Sequence, residues 1–384
     1  MVAVLLTVIG LWLPSDGREP AGAHLLLGVT HAQYSLDPDL SPEQRAAGER
    51  VLATAPMLQN QHIMGWGALN PEPSPGVFDW STVDTRMDLI SRTGGVPVLT
   101  LCCAPDWMKG GSPGTTDWNR LEEAPAPEHY GDFAALAAEA AKRYPQVRYF
   151  QVWNELKGFW DAEANTWDSA GFTDFYNQVY DAVKRVRPDA RIGGPYVVFD
   201  TVGSGRIDPR VLEFFRYWNE HKHGADFAAV DASTGPGDSS SLYADVTSWV
   251  RAQTGLPVWW SEFYPHPVEE TDQARAAATL DAVARAAEAG ASAMLLWQPQ
   301  ASADLPYAAL WSDPSAGPVG PTSLTRAWTW LAARLRTGSV RIERDVPGDL
   351  LRFVGGDATL TVNLSASASV RPGASLAPFA ITFG

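Results

Sequence analysis

The sequence is poor in cysteine and in basic residues. Its 384 residues include 2 Cys, and 29 Lys and Arg stand against 44 Asp and Glu, which gives a formal net charge of -15. Such a charge repels nucleic acid and anionic membranes, because binding to phosphate requires Lys and Arg to replace counterions. We therefore expect neither nucleic acid as a partner nor membrane insertion of the mature domain.

The two cysteines, Cys102 and Cys103, are adjacent in the sequence. They fall in a predicted strand, where neighbouring side chains point to opposite faces, so we do not expect them to form a bridge. Neither a disulfide framework nor a metal-type cysteine spacing is present, and cysteine usage therefore does not define the compartment.

Residues 1–24 are interpreted as an apolar leader. Met1–Leu13 is an apolar run without Lys or Arg, and Ala21-Gly22-Ala23 has the small-x-small form of a signal-peptidase site. The run is too short to span a bilayer as a helix. It predicts either the signal peptide of a secreted or cell-envelope protein, or an N-terminal strand packed on the C-terminal domain of a cytoplasmic one.

Aromatic residues are abundant. The chain contains 16 Trp, 11 Tyr and 14 Phe. That is more Trp than a core needs, and several lie beside Pro, Gly, Asn or acidic residues in predicted loops. This pattern is typical of a cleft that stacks flat ligands or the faces of sugars.

Short apolar runs alternate with amphipathic stretches along most of the chain, which indicates parallel strand–helix units. Strands are predicted at Leu25–Thr30, Gln61–Trp66, Val96–Cys102, Arg148–Trp153, Arg191–Gly194, Asp226–Asp231, Pro257–Ser261 and Ala293–Trp297. Helices are predicted at Pro42–Leu58, Ser81–Thr93, Glu128–Tyr144, Gly171–Arg187, Pro209–His221, Leu242–Gln253, Thr271–Ala289 and Ser323–Leu335. The α/β order predicts a (β/α)8 TIM barrel over residues 25–335.

The character of the sequence changes at about Arg336. Short β-type runs follow at Ser339–Glu343, Leu350–Val354, Thr359–Asn363 and Pro378–Thr382, separated by Pro-Gly and Gly-Gly pairs. They predict a small antiparallel β domain over residues 336–384, packed on the barrel.

Two carboxylates directly follow buried predicted strands, Glu155 after strand four and Glu262 after strand seven. The carboxyl ends of the strands build the active site of such a barrel, and these two strands lie across its opening from each other. Hydrolysis of a glycosidic bond needs two carboxyl groups, about 5–5.5 Å apart for retention and about 6.5–9.5 Å apart for inversion. The structural alternative is that each is a salt-bridged acid at a strand end.

Trp153-Asn154-Glu155, Ser261-Glu262-Phe263 and Trp297 together resemble the motifs of the large clan of retaining (β/α)8 glycosidases. The turn Pro105-Asp106-Trp107-Met108, the segment Phe78-Asp79-Trp80 and the C-terminal β domain are most similar to family 39, the β-xylosidase and α-iduronidase group. The resemblance implies that Glu155 is the general acid/base and Glu262 the nucleophile, with a saccharide substrate and no metal or organic cofactor.

The chain departs from the clan pattern at two places. Many clan members carry His or Tyr after strand six, where this chain has Val230-Asp231-Ala232, and Arg after strand two, where it has Trp66. These departures put the substrate in doubt more than the reaction.

Polar and aromatic residues at the strand ends are the candidates for substrate binding. They are Asn154, Trp297, His31, Trp107, Trp153, Tyr264, Trp66 and Tyr196. We expect Asn154 to contact the sugar 2-hydroxyl and the flat Trp rings to stack on a pyranose face. Trp153 and its aromatic neighbours are expected to raise the pKa of Glu155 by desolvation. The alternatives are a loop cap for Asn154, a core histidine for His31 and simple packing for the aromatic residues.

The prediction is a retaining O-glycoside hydrolase that acts by double displacement, with a xylose-like pentoside as substrate. Lys109 and Lys157 are the basic residues nearest the predicted site, and neither is placed clearly enough to predict a uronic acid. The alternatives are another sugar (arabinoside, hexoside or uronide), a non-catalytic carbohydrate-binding barrel and a metal-dependent barrel hydrolase. A metal-dependent hydrolase would need a cluster of His and Asp at the strand ends, and the sequence offers only His31 and Asp231 there.

Overall fold

The computed structural model describes residues 23–33, 35–201, 205–305, 307–345, 349–371 and 374–384. The run Met1–Leu13 lies outside these residues, so the interpretation of the leader stays a prediction. Within the described part of the chain, the helices are all too short or too polar to cross a bilayer.

Eight parallel strands close into a barrel surrounded by helices, which confirms the predicted fold. In chain order, β1 is Leu26–Thr30, β2 Leu58–His62, β3 Val96–Leu101, β4 Tyr149–Val152, β5 Trp160–Asp161, β6 Thr166–Trp167, β7 Arg191–Val198, β8 Phe227–Asp231, β9 Val258–Trp260 and β10 Ala293–Trp297. The short strands β5 and β6 form a separate hairpin, and the barrel order is β1-β10-β9-β8-β7-β4-β3-β2. The helices are α1 Pro42–Leu52, α2 Ser81–Arg92, α3 Tyr130–Arg143, α4 Ser169–Val186, α5 Pro209–His221, α6 Ser241–Thr254, α7 Asp272–Glu288 and α8 Thr325–Leu335.

Local signals explain where several helices begin. Ser41 and Gln44 form a capping box at the start of α1, and the side chains of Asp208 and Thr271 accept hydrogen bonds from the first backbone N–H groups of α5 and α7. These side chains satisfy amide groups that have no partner within the helix.

A small β domain follows the barrel. It contains a four-stranded antiparallel sheet of β11 Val340–Arg344, β12 Leu350–Gly355, β13 Thr359–Asn363 and β16 Ile381–Phe383, with β14 Ser369–Arg371 paired to β15 Ala374–Leu376. The backbone N–H of Ala23 donates to the Val340 carbonyl oxygen at 2.7 Å, so the start of the described chain lies against this sheet. Arg344 of β11 pairs with Asp281 of α7 at 2.5 Å, which ties the sheet to the barrel.

A closed ring of hydrogen bonds crosses the interior of the barrel. Asn60 Nδ2 donates to Thr30 Oγ1 at 3.2 Å, Thr100 Oγ1 donates to Asn60 Oδ1 at 2.8 Å, and Gln151 Nε2 donates to Thr100 Oγ1 at 3.1 Å. The Ser261 hydroxyl donates to Gln151 Oε1, and Thr30 Oγ1 donates to the Ser261 carbonyl oxygen at 2.7 Å, which closes the ring. All five side chains are fully buried. The ring therefore satisfies polar groups that would otherwise be costly to bury.

The polar residues of the second strand explain why it was wrongly placed from the sequence. The prediction took the apolar stretch Gln61–Trp66 as the strand, whereas β2 is Leu58–His62, whose residues are all buried. Four of its five side chains are polar, and each has a buried partner: Asn60 bonds within the ring, Gln59 bonds Thr93 after α2, Gln61 bonds backbone carbonyl oxygens and His62 bonds Asn154. Apolar patterning cannot reveal such a strand.

The expectation that Cys102 and Cys103 do not form a bridge is also wrong. The structure has a disulfide between them, with the two Cα atoms 3.0 Å apart and a cis peptide bond between the residues. Strand β3 ends at Leu101, so the alternation of side chains on which the expectation depended does not extend to the two cysteines.

We expect Thr100→Val to lower the free energy of unfolding by about 3 kcal/mol, because it leaves Asn60 Oδ1 and Gln151 Nε2 buried without partners. Thr85→Val on the exposed face of α2 is the control, with an expected effect within about 0.5 kcal/mol. Chemical denaturation of both variants measures the difference. Equal stability of the two variants would show that the ring does not stabilise the barrel.

Candidate active site

A cavity of about 400 Å³ lies at the carboxyl ends of the barrel strands. Six of the predicted site residues line it, namely Glu155, Glu262, Asn154, Trp66, Tyr264 and Trp297. Gln33, Glu122, Lys157, Val198, Asp200, Ser233, Leu305 and Tyr307 complete the lining. The volume is in the range of small-ligand sites.

Three carboxyl groups meet at the floor of this cavity. Glu155 follows β4, Asp231 is the last residue of β8, and Glu262 follows β9. One oxygen of each lies within 4.8 Å of an oxygen of the other two. Two negative charges at that distance repel each other by about 3 kcal/mol at an effective dielectric constant of about 20, so the three groups do not all ionise near neutral pH.

Two tyrosine hydroxyls hold Glu262. Tyr196 of β7 donates to Glu262 Oε1 at 2.6 Å, and the Tyr264 hydroxyl donates to Oε2. Burial and the nearby charge of Glu155 nevertheless raise the pKa of Glu262 to about 8, against the opposing effect of the two hydroxyls. These hydroxyls fix both oxygens of the carboxyl group in position.

Glu155 has a cation as its partner. Lys157 Nζ lies 2.8 Å from Glu155 Oε2 and also pairs with Glu122. Burial disfavours the carboxylate, but the Lys157 charge and hydrogen bonds from Asp231 and Lys157 outweigh it and lower the pKa of Glu155. The expectation of a raised pKa is therefore wrong for this arrangement, because the lysine two residues further along folds back onto the carboxylate.

Asp231 is fully buried beside both of these acids. Its Oδ2 lies 3.1 Å from the hydroxyl oxygen of Tyr264. Burial and the charges of Glu155 and Glu262 raise the pKa of Asp231 well above its usual range. The sequence indicated Asp231 as a departure from the clan pattern after strand six and as a single metal-ligand candidate, and its position at a strand end was a signal of a catalytic context.

Asn154 is oriented by His62, which sequence reasoning also missed. His62 Nε2 lies 3.3 Å from Asn154 Oδ1, and its ring packs on Trp66 at a centroid distance of 4.2 Å. Burial lowers the pKa of His62 to about 3, so the ring is neutral and donates from Nε2 to the amide oxygen. His62 thereby leaves the Asn154 amide group directed at the cavity.

Several residues at this end of the barrel adopt positive φ although they are not glycine. The φ angles are 47° at Trp66, 67° at Trp153, 51° at Glu155, 58° at Leu156 and 57° at Tyr196. Such conformations are unfavourable for L-residues and concentrate at functional sites, where surrounding packing holds them. Glu155 and Tyr196 reach the cluster from backbones held in this way.

Three predicted binding residues are not brought to the cavity. His31 Nε2 contacts Gln59 Oε1 at 3.2 Å, and Trp107 Nε1 donates to the Glu72 carbonyl oxygen at 2.9 Å. Trp153 is fully buried behind β4 and packs against Phe133, Phe159 and Phe175. Their positions match the packing alternatives of the sequence analysis.

Glu155, Asp231 and Glu262 are also spaced closely enough to hold a metal ion. The set contains carboxylates alone, and the Lys157 ammonium already supplies a positive charge 2.8 Å from Glu155. His31, which the metal-dependent alternative would need, is engaged with Gln59 instead. Hydrolysis by two carboxyl groups requires no metal.

Comparison with known proteins finds a matching family model. The model of glycosyl hydrolases family 39 matches residues 71–253, a little under half of the chain, and this segment includes Glu155. Over this segment the chain is similar to family 39. The chain is a retaining O-glycoside hydrolase, as the sequence predicted. The matched segment ends before Glu262, so the role of that residue depends on the geometry of the cluster.

Solved structures share the fold of this chain. A GH39 β-xylosidase from Caulobacter crescentus superimposes with a TM-score of 0.62 at 18% identity, covering 91% of this chain and 80% of that one. The GH39 enzyme from Xanthomonas axonopodis pv. citri gives 0.61 at 17% identity, with 93% and 75% covered. A glucosidase from Croceicoccus marinus gives 0.57 at 16% identity, with 93% and 81% covered. No curated protein matches the chain.

We expect Lys157→Met to move the alkaline limb of the pH profile of kcat/KM upward by roughly one pH unit. The Lys157 charge lowers the pKa of Glu155, so its removal raises that pKa and keeps the acid protonated to higher pH. Lys142→Met, which alters an exposed pair with Glu139 on α3, is the control and should leave the profile unchanged. An alkaline limb that stays in place in Lys157→Met would separate Lys157 from the ionisation of Glu155.

Proposed function

We propose that this protein is a family 39, β-xylosidase-like glycosidase in which Glu155 is the general acid/base and Glu262 the nucleophile. The observation that carries the proposal is the approach of the two carboxyl groups, one oxygen of each lying within 4.8 Å of the other. This close approach fits double displacement, in which the two carboxyl groups lie about 5–5.5 Å apart, better than inversion, which needs about 6.5–9.5 Å.

In the first step Glu262 attacks the anomeric carbon while Glu155 protonates the departing glycosidic oxygen, giving a covalent glycosyl-enzyme. In the second step the Glu155 carboxylate takes a proton from water, which attacks the anomeric carbon and releases Glu262. The hydrogen bonds from Tyr196 and Tyr264 hold the nucleophile in one orientation and stabilise it again as it leaves.

Asn154 lies between the acid/base and the histidine that orients it. Its backbone is adjacent to Glu155, and its side chain is 2% exposed beside the cavity that it lines. A hydrogen bond from the amide to the sugar 2-hydroxyl would strengthen as positive charge develops at the anomeric carbon. We therefore assign Asn154 to recognition of the sugar next to the scissile bond.

The substrate proposal depends on the aromatic wall of the cavity. Tyr264, Trp297 and Tyr307 pack on one another at centroid distances of 5.2 to 5.7 Å, and Trp66 lines the cavity as well. Bulky rings fit a pyranose that lacks a substituent at C5.

Two other tryptophans lie away from this wall. Trp107 is buried against Glu72, and Trp160 lies on the exposed β5–β6 hairpin beside Trp167. The wall that supports a pentoside is therefore formed by Trp66 and Trp297 together with the two tyrosines.

The charges at the site favour a neutral sugar over a uronic acid. Lys157 lines the cavity, but its ammonium is shared by Glu155 and Glu122. Lys109 is buried, pairs with Asp106 at 3.6 Å and donates to the Arg120 carbonyl oxygen. A substrate carboxylate would therefore have to compete with two acidic side chains for one cation.

We also propose that the enzyme is secreted or held at the cell envelope and takes its substrate from polysaccharide breakdown. The support is the apolar run Met1–Leu13 and the Ala21-Gly22-Ala23 site, with cytoplasmic location as the alternative.

We expect Glu262→Gly to lower kcat on aryl glycosides by on the order of 10³-fold or more. Added azide should partly restore turnover and give a glycosyl azide of inverted configuration, because the small anion occupies the space that the carboxylate left. NMR of the product checks the configuration, and Glu269→Gly on the exposed part of the same loop is the control. Wild-type turnover in Glu262→Gly would remove this residue from the nucleophile role.

The substrate proposal is tested by a panel of aryl xyloside, arabinoside, glucoside, galactoside, fucoside and iduronide. We expect the xyloside to give the highest kcat/KM, because the aromatic wall leaves little room at C5. Clear hydrolysis of a hexoside or the iduronide without hydrolysis of pentosides would overturn the sugar assignment and leave the two-carboxyl mechanism in place.

A further inference from the structure

Asp231 is a third acid in the catalytic cluster to which the double-displacement mechanism gives no role. It ends β8, its side chain is fully buried, and one of its oxygens lies within 4.8 Å of both Glu155 and Glu262. A charged third carboxylate at this place would repel the nucleophile and the acid/base at every stage of the reaction.

The three acids differ in what compensates their charge. Glu155 has the Lys157 ammonium at 2.8 Å, and Glu262 accepts hydrogen bonds from Tyr196 and Tyr264. Asp231 Oδ2 lies 3.1 Å from the Tyr264 hydroxyl, whose single proton is directed at Glu262, and within the described part of the chain no Lys or Arg pairs with Asp231. Asp231 is therefore the member of the cluster least able to carry a charge.

One oxygen of Asp231 has no partner in the described residues if the group is a carboxylate. This atom, Oδ1, is buried and accepts no hydrogen bond. Asp231 and Glu155 are neighbours, with one oxygen of each within 4.8 Å of the other, and two carboxylates have no proton with which to form a hydrogen bond. A proton on Asp231 gives the pair the donor that such a bond requires.

We propose that Asp231 acts as a neutral carboxylic acid, a positioning residue that donates a hydrogen bond to Glu155 and adds no negative charge beside Glu262. This inference rests on the proposed roles of Glu155 and Glu262. The proton stays on Asp231 through both steps, so Glu155 alone exchanges a proton with the substrate and with water. The hydrogen bond stabilises the Glu155 carboxylate when that group acts as the base.

The surroundings of Asp231 support this protonation state. The titratable and charged groups that face it are Glu155 and Lys157 after β4, Tyr196 of β7, Tyr243 of α6, Glu262 and Tyr264 after β9, and Tyr307 after β10. Burial comes first among the causes that raise the pKa of Asp231, followed by the charges of Glu155 and Glu262. Lys157 pairs with Glu155 and leaves the charge of Asp231 uncompensated.

Asp231→Asn and Asp231→Ala form the test. Asparagine has the size of a protonated aspartic acid and keeps a donor for Glu155, so we expect kcat/KM within about threefold of wild type. Alanine removes the donor and should lower kcat/KM by about 10- to 100-fold. If Asp231 works as a carboxylate, Asp231→Asn will lose activity as severely as Asp231→Ala, and that result would overturn the proposal.

A spectroscopic measurement makes the test independent of turnover and of whether Asp231→Ala folds. The infrared difference spectrum between wild type and Asp231→Asn at pH 7 should show the carbonyl stretch of one protonated carboxyl group in the wild type. A carboxylate band in its place would overturn the proposal. If the wild type hydrolyses no glycoside, the proposed function fails, and the spectrum still decides the protonation of Asp231.

Discussion

Polar side chains enclosed in the barrel must pair with one another, and this requirement connects the interior to the site. Gln151 of β4 and Ser261 after β9 are hydrogen-bonded members of the buried ring. Ser261 immediately precedes Glu262, and Gln151 lies four residues before Glu155. The bond across the interior therefore fixes the spacing of the two strands that carry the catalytic acids, which supports a pre-organised arrangement of the carboxyl groups.

In the site next to the buried ring of hydrogen bonds, Glu155, Asp231 and Glu262 are chemically alike but differ in how the protein compensates their negative charge. A cation lowers the pKa of Glu155, and burial raises that of Glu262 to about 8. Double displacement needs the opposite distribution, with the proton on Glu155 and the charge on Glu262. The two arrangements differ by one proton moved between the carboxyl groups. The Tyr264 hydroxyl contacts both groups, 3.5 Å from Glu155 Oε1, and so lies on the short path between them.

The barrel and its two central acids could be predicted from the sequence, because apolar strands and the residues that end them leave a local pattern. The remaining parts of the site could not. His62 lies on β2, which the prediction misplaced because most of its residues are polar. Lys157 affects Glu155 because the chain folds back and brings the ammonium onto that carboxylate. The pairing of Cys102 with Cys103 depends on where β3 ends. These features arise from contacts between distant segments or from backbone angles, which residue patterning does not encode.

Residue patterning also does not predict the direction in which a tryptophan side chain points. This direction decides which tryptophans can contact the sugar. Trp153 and Trp297 both end apolar barrel strands, yet Trp153 is buried behind β4 and Trp297 lines the cavity. Trp297 is held there by Tyr264 and Tyr307, so the wall keeps its shape through contacts within the protein. Tyr264 belongs both to this wall and to the hydrogen bonds of the carboxyl cluster. A sugar that displaces the wall would therefore also disturb the nucleophile, which couples selection by shape to the chemistry of the reaction.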